Sequence, residues 1–135
     1  MPARVLLLEN DPATRELICY LLDRYRHDTI AVDTPELAIG VLTQETPDMI
    51  LTDLQLGRPM DGYAFGMWCR AQAELAAVPL VCITASWDKY RRDRIQTVGF
   101  TVLIPKPINP EAFVNQLEFY LPSDKWGTPP DIPDS

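Results

Sequence analysis

Residues 47–56, PDMILTDLQL, carry a short apolar run from Met49 to Leu51 and, after Thr52, a carboxylate, Asp53. A run this short, without helical spacing, reads as a strand buried on both faces, the kind that fills the middle of a parallel sheet. Asp53 then stands at the carboxyl end of that strand. In open parallel sheets the ligand crevice lies outside the carboxyl ends of the strands, so this one stretch suggests both a fold class and the place where chemistry collects.

Similar runs lie outward from it at Val5 to Leu8, Thr29 to Val32, Pro79 to Ile83 and Thr101 to Ile104. Between them apolar residues recur at helical spacing: Leu17, Leu21 and Tyr25, then Leu37 and Val41, then Phe113, Leu117 and Tyr120. Asp11-Pro12, Thr34-Pro35 and Asn109-Pro110 each put a capping side chain ahead of a proline suited to the first helical position, which predicts three helix starts. Strand and helix alternate five times. That pattern implies an α/β fold, a single doubly wound five-stranded parallel sheet with right-handed crossovers, flanked by five helices. Pro105 has no amide to donate to a ladder, which suits a fifth strand at the sheet edge.

At 135 residues the chain fits one domain. Residues 1–121 are read as that domain. Residues 122–135, PSDKWGTPPDIPDS, are rich in proline and polar groups and are read as a mobile tail, in which Trp126 is either a linker residue or an anchor. The net charge of -7 opposes contact with nucleic acid or an anionic membrane surface, so neither is expected as a partner. Cys19, Cys69 and Cys82 lack paired CxxC spacing and read as small core residues. No stretch has the pattern of a signal peptide or a membrane span, and the expected location is cytoplasmic.

Several polar residues fall at the carboxyl ends of the runs: Glu9 and Asn10 after the first, Asp53 at the third, Thr84 at the fourth and Lys106 after the fifth. Each alone is an ordinary cap or turn residue. Together at one sheet edge they supply a carboxylate nucleophile, metal-binding oxygens, a hydroxyl and a cation, the set that phosphoryl transfer requires.

The segments VLLLENDP (5–12), PDMILTDLQL (47–56) with MDG (60–62), VCITAS (81–86) and IPKPI (104–108) resemble a response-regulator receiver domain of two-component signalling, over about Arg4 to Leu121. The resemblance implies a flavodoxin-like sheet of order 2-1-3-4-5. It implies that Asp53 takes a phosphoryl group from a histidine kinase or histidine phosphotransfer protein. Glu9 and Asn10 match the acidic pair that holds Mg²⁺, with Asp53 and the backbone carbonyl of Gln55. Thr84 matches the hydroxyl that bonds a phosphoryl oxygen. Lys106 matches the lysine that pairs with the acceptor and then with the phosphate, and the Lys106-Pro107 bond is expected to be cis. Output is expected by docking of the face formed by the fourth helix, fifth strand and fifth helix onto a downstream protein. Such a domain loads and unloads its own phosphate at most and is not a turnover enzyme. The physics agrees: an anionic phosphoryl group approaching a carboxylate is repelled unless cations screen it, as Mg²⁺ and Lys106 would.

The chain departs from the family pattern at several places. Asn10 stands where a carboxylate is usual, and one charge lost about 4 Å from an ion removes on the order of 4 kcal/mol of raw attraction at an effective dielectric near 20. Weakened Mg²⁺ binding is therefore expected. Asp11 either compensates or caps the first helix. The loop LGRPMDG (56–62) is one residue longer than usual, with Gly57 and Pro59 displaced. Leu103 has neither ring nor hydroxyl where an aromatic commonly reports phosphorylation, and Gln55 and Ser86 fall at positions that tune dephosphorylation. Trp87, Lys89, Tyr90, Arg91, Arg92 and Arg94 form either a solvated basic face or a docking patch.

Two readings follow: a stand-alone receiver phosphorylated on Asp53, or a pseudo-receiver that binds partners without phosphorylation because Asn10 weakens the metal site. An aspartate-nucleophile phosphatase is disfavoured because Gln55 stands where a second acid is needed. A flavin carrier is disfavoured because Glu9 and Asp11 would repel its phosphate.

Overall fold

The structure, a computed structural model of the chain, describes residues 2–55, 61–85 and 89–130, of 89–91 the backbone alone. The helices begin where side chains satisfy their open amides. Helix α1 (Pro12–Arg24) starts after Asp11, whose Oδ2 accepts the Thr14 amide at 3.0 Å, and α2 (Pro35–Leu42) after Thr34, whose hydroxyl oxygen accepts the Leu37 amide at 3.2 Å. Asp61 caps α3 (Gly62–Ala71) through Ala64, and α4 spans Lys89–Val98. The third predicted start is displaced. Asn109 Oδ1 accepts the Glu111 amide, closing a turn first, and α5 runs Phe113–Glu118.

Strands β1 (Arg4–Leu8), β2 (Asp28–Val32), β3 (Met49–Asp53), β4 (Leu80–Thr84) and β5 (Val102–Pro105) form one parallel sheet in the order β2-β1-β3-β4-β5. Pro105 lies on the edge strand, opposite Thr84. Because side chains alternate across a strand, Val5, Leu7, Leu51, Val81 and Ile83 pack against Ile18, Leu22 and Phe113 on one face. Leu6, Leu8, Ile50, Leu80 and Cys82 pack against Phe65 and Cys69 on the other. Each such buried side chain contributes about 1.5–3 kcal/mol relative to exposure. The helical stripes are turned relative to the sequence pattern: Ile18, Leu21 and Leu22 bury on α1 while Leu17 is 37% exposed, and Ala38 buries on α2 while Leu37 is 55% exposed.

Two sets of hydrogen bonds tie helices to the segments around them. Arg70 of α3 donates from Nε to Gly99 O at 2.8 Å and from Nη1 to Leu75 O and Val78 O at 2.8 and 2.9 Å. Gly99 has φ of +103°, which a residue without a Cβ adopts at low cost. At the same amino-terminal edge of the sheet, beside the starts of β1 and β2, the stretch read as a tail makes definite contacts through Thr128. The Trp126 indole donates to Glu118 O at 2.7 Å and Leu121 O at 3.1 Å, and the Thr128 amide to Tyr25 O at 3.0 Å. The Gly127 amide donates to Glu118 Oε2 at 2.6 Å, an oxygen that also lies 2.7 Å from His27 Nε2. His27 Nδ1 accepts the Ala3 amide at 2.9 Å, so Nε2 carries the hydrogen toward Glu118.

Candidate functional site

The register sets the site. Leu8 stands beside Thr52, Asp53 beside Ile83 and Thr84 beside Pro105, so β1, β3, β4 and β5 finish on one edge. Glu9 follows Leu8 with its amide on Val32 O, and Lys106 follows Pro105 with its amide on Thr84 O at 2.8 Å. Residues from four strand ends thereby open into one crevice, as the parallel sheet predicts.

Within it Lys106 Nζ lies 2.7 Å from Glu9 Oε1 and 2.8 Å from Asp53 Oδ2. Glu9 is 1% and Asp53 7% exposed. Burial opposes the Lys106 charge, but hydrogen bonds and attraction from Asp53 and Glu9 outweigh it and hold the ammonium pKa above the usual lysine value. Burial pushes the Glu9 carboxyl up, and the bonds from Lys106 and the Asp11 amide offset this only in part. The second Asp53 oxygen, Oδ1, accepts the Gln55 amide at 3.0 Å, turning the chain back over the carboxylate. The Lys106-Pro107 bond is cis.

Of the residues singled out from sequence, Glu9, Asp53 and Lys106 meet through their side chains. Gln55 and Thr84 join through backbone bonds to Asp53 and Lys106. Thr84 is fully buried, whereas Asn10 is exposed at the rim. Asp11 spends Oδ2 on Thr14, bonds that also lower its pKa, and acts as the helix cap. Among the described residues no three His, Cys, Asp or Glu side chains gather as a metal group. Gly57, Pro59, Ser86 and Trp87, the lengthened loop through Met60, and the side chains of Lys89, Tyr90 and Arg91 lie outside the described residues. Arg94 is not simply a solvated charge, since its guanidinium lies 3.9 Å from the centre of the Tyr63 ring. Cys69 and Cys82 are buried core thiols pushed up to about 12 by burial.

Three neighbours of the site escaped the sequence reading. Arg15 Nη1 donates to Glu9 O at 2.8 Å, and the Asp11 amide to Glu9 Oε2 at 3.1 Å, so Glu9 is pinned at both backbone and carboxylate. The Gly62 amide bonds Leu54 O at 3.0 Å, and Tyr63 follows it beneath Arg94. The Asp-Gly pair at 61–62 was the available signal for a cap followed by a close backbone approach.

The arrangement offers a buried, cation-paired carboxylate with hard oxygen donors beside it. Among the described residues no helix is long and apolar enough to cross a membrane. The response regulator receiver domain profile matches residues 5–118. The polar-differentiation response regulator DivK of Brucella anthropi is 28% identical over 121 residues, 90% of this chain and 98% of that protein. The chemotaxis response regulator CheY4 of Vibrio cholerae superposes with a TM-score of 0.84 at 21% identity, covering 90% of this chain and all of that one. The receiver domain of a sensor histidine kinase from Pseudomonas aeruginosa, with a magnesium ion coordinated in its active-site cleft, superposes at 0.80 with 23% identity over 89% of this chain and 98% of its own. By sequence match and by the order of its five strands, this chain belongs to the response regulator receiver domain family of two-component signalling.

Proposed function

We propose that Asp53 accepts a phosphoryl group from a phosphohistidine on a histidine kinase or histidine phosphotransfer protein, and that the domain signals by docking to a downstream protein. The observation that carries this reading is the Lys106 ammonium held between Glu9 Oε1 and Asp53 Oδ2 in a buried crevice. In the transfer an Asp53 oxygen forms the new P–O bond as the donor's P–N bond breaks, and the electron pair leaves with the imidazole. Lys106 then keeps its charge beside the phosphoryl oxygens, and the Thr84 hydroxyl, at the end of β4, bonds one of them. Gln55, its amide on Asp53 Oδ1, fixes the carboxylate for attack.

The donor set fits a hard divalent cation. Glu9 and Asp53 bring two carboxylates against one ammonium, and oxygen ligands of this kind suit Mg²⁺. Glu9, Asp53, the Asn10 carboxamide and the Gln55 carbonyl are the residues that would hold it. When bound, it would neutralise charge on the transferring phosphoryl oxygens. With Asn10 in place of an acid, its affinity is expected to be weaker than in a receiver with three carboxylates.

The output face is read at β5. A groove of about 470 Å³ lined by Leu103, Pro105, Phe119 and Tyr120 lies on one side, and one of about 400 Å³ lined by Ile95, Phe100 and Leu103 on the other. Phe119 is 77% exposed there. A second reading, a pseudo-receiver, is favoured by the neutral Asn10. Incubation with Mg²⁺ and acetyl phosphate followed by intact-mass measurement separates the two. A single phosphate gained by the wild type and lost in Asp53→Asn supports the phosphoacceptor, and no Asp53-dependent gain leaves the pseudo-receiver.

A further inference from the structure

Helix α3 begins in direct contact with the acceptor backbone. A Cβ on Gly62 would lie 2.2 Å from Asp53 O and 2.5 Å from Leu54 Cα, so the helix start and the acceptor strand touch with no side chain between them. The next residue, Tyr63, is 8% exposed, and its ring is covered by the Arg94 guanidinium of α4 at 3.9 Å from the centroid. A guanidinium at that distance over the ring is attracted to the ring face. Farther along, the same two helices are locked: a Cβ on Gly66 would lie 2.7 Å from the Phe100 ring, and Arg70 holds Gly99 O. Motion of α4 relative to α3 is therefore resisted at its far end and transmitted at Tyr63.

We infer that Tyr63 is a positioning residue for Asp53: clamped by Arg94, it presses Gly62 against the Asp53 carbonyl and links α4 to the acceptor. Any change that moves the Asp53–Leu54 backbone, such as loading of the carboxylate, moves Gly62 and with it the ring under Arg94. The link works in both directions, so a partner that shifts Arg94 changes the affinity of the Asp53 site for its ligand by the same factor. Leu103, which packs against the same apolar cluster as Tyr63, has neither ring nor hydroxyl to make such a connection.

The first arm of the test needs no ligand and does not depend on phosphorylation. Amide resonances of Leu54 and Gln55 are compared in wild type, Tyr63→Leu, Arg94→Gln and the conservative Tyr63→Phe and Arg94→Lys. The Gln55 amide is bonded to Asp53 Oδ1 and so reports the carboxylate directly. Tyr63→Leu and Arg94→Gln are expected to shift and broaden both signals, and the conservative pair to restore them. Unchanged signals in Arg94→Gln, a substitution at an exposed position, overturn the inference. The second arm rests on the proposed function and adds beryllium trifluoride with Mg²⁺. Half-saturation is expected to rise about five- to tenfold in Tyr63→Leu and Arg94→Gln, with loss of the α4 amide response and with Phe and Lys variants within about twofold. A wild-type half-saturation and α4 response in Tyr63→Leu overturn it. If the first arm succeeds and the wild type shows no response to the fluoride at Gln55 or Lys106, the phosphoacceptor reading fails and the positioning role stands.

Discussion

Glu118→Ala tests the junction that ties the C-terminal segment to the domain. Glu118 Oε2 accepts both the Gly127 amide at 2.6 Å and His27 Nε2–H at 2.7 Å, with His27 5% and Glu118 7% exposed. Truncation leaves two donors without an acceptor, each at a cost of about 1–3 kcal/mol when buried. His27 cannot turn to another partner without losing the Ala3 amide on Nδ1. Gly127 is half-buried and can recruit water, so the expected loss is about 3 kcal/mol, a large share of a typical domain stability of about 5–15 kcal/mol. Glu118→Gln keeps one acceptor oxygen and should lose about 1 kcal/mol. Urea unfolding followed by tryptophan fluorescence and far-ultraviolet circular dichroism gives both values, and a cycle with His27→Ala should show a coupling above about 1 kcal/mol. Trypsin supplies an independent measure: cleavage after Lys125 is expected to be slow in wild type and much faster in Glu118→Ala. A variant within about 0.5 kcal/mol of wild type, or equal cleavage rates, would refute the reasoning and leave residues 122–135 as a mobile tail.

Arg70→Met keeps the apolar stem but strips donors from Gly99 O, Leu75 O and Val78 O; a loss of about 2–4 kcal/mol in urea midpoint experiments is expected, and a loss below about 1 would show that water replaces the guanidinium freely. Glu9→Gln tests the cost of a buried site carboxylate. Because burial raises the Glu9 carboxyl above 4.5, the folded state holds this proton more tightly than the unfolded chain, so the contribution is full below 4.5 and lost as the pH rises through the folded value. The variant should therefore gain stability on wild type as the pH rises from acid to neutral, while Mg²⁺ affinity falls. A stability difference that stays constant across that range would contradict the assignment.

How legible each feature was depended on the range of the interaction behind it. The caps at Asp11 and Thr34 were readable because each bond spans three residues. Asn109 misled because the same short-range chemistry closed a turn on Glu111 before the helix began. Leu17 and Leu37 misled because spacing identifies a helix without specifying which arc of it faces the sheet. Cys19, read as a core residue like the other two cysteines, is only half-buried on α1.

By itself the sequence determined the alternation of strands and helices, the edge placement of Pro105, and the location of Glu9, Asp53, Thr84 and Lys106 at strand ends. These follow from periodicity and from the bonding limits of single residues. Only the tertiary structure decided that Lys106 stands between Glu9 and Asp53, that Arg94 covers Tyr63, and that Glu118 joins His27 to Gly127. Those contacts unite residues far apart in the chain, and whether they meet depends on strand register and on how each helix rotates as it packs on the sheet, quantities that no local pattern encodes.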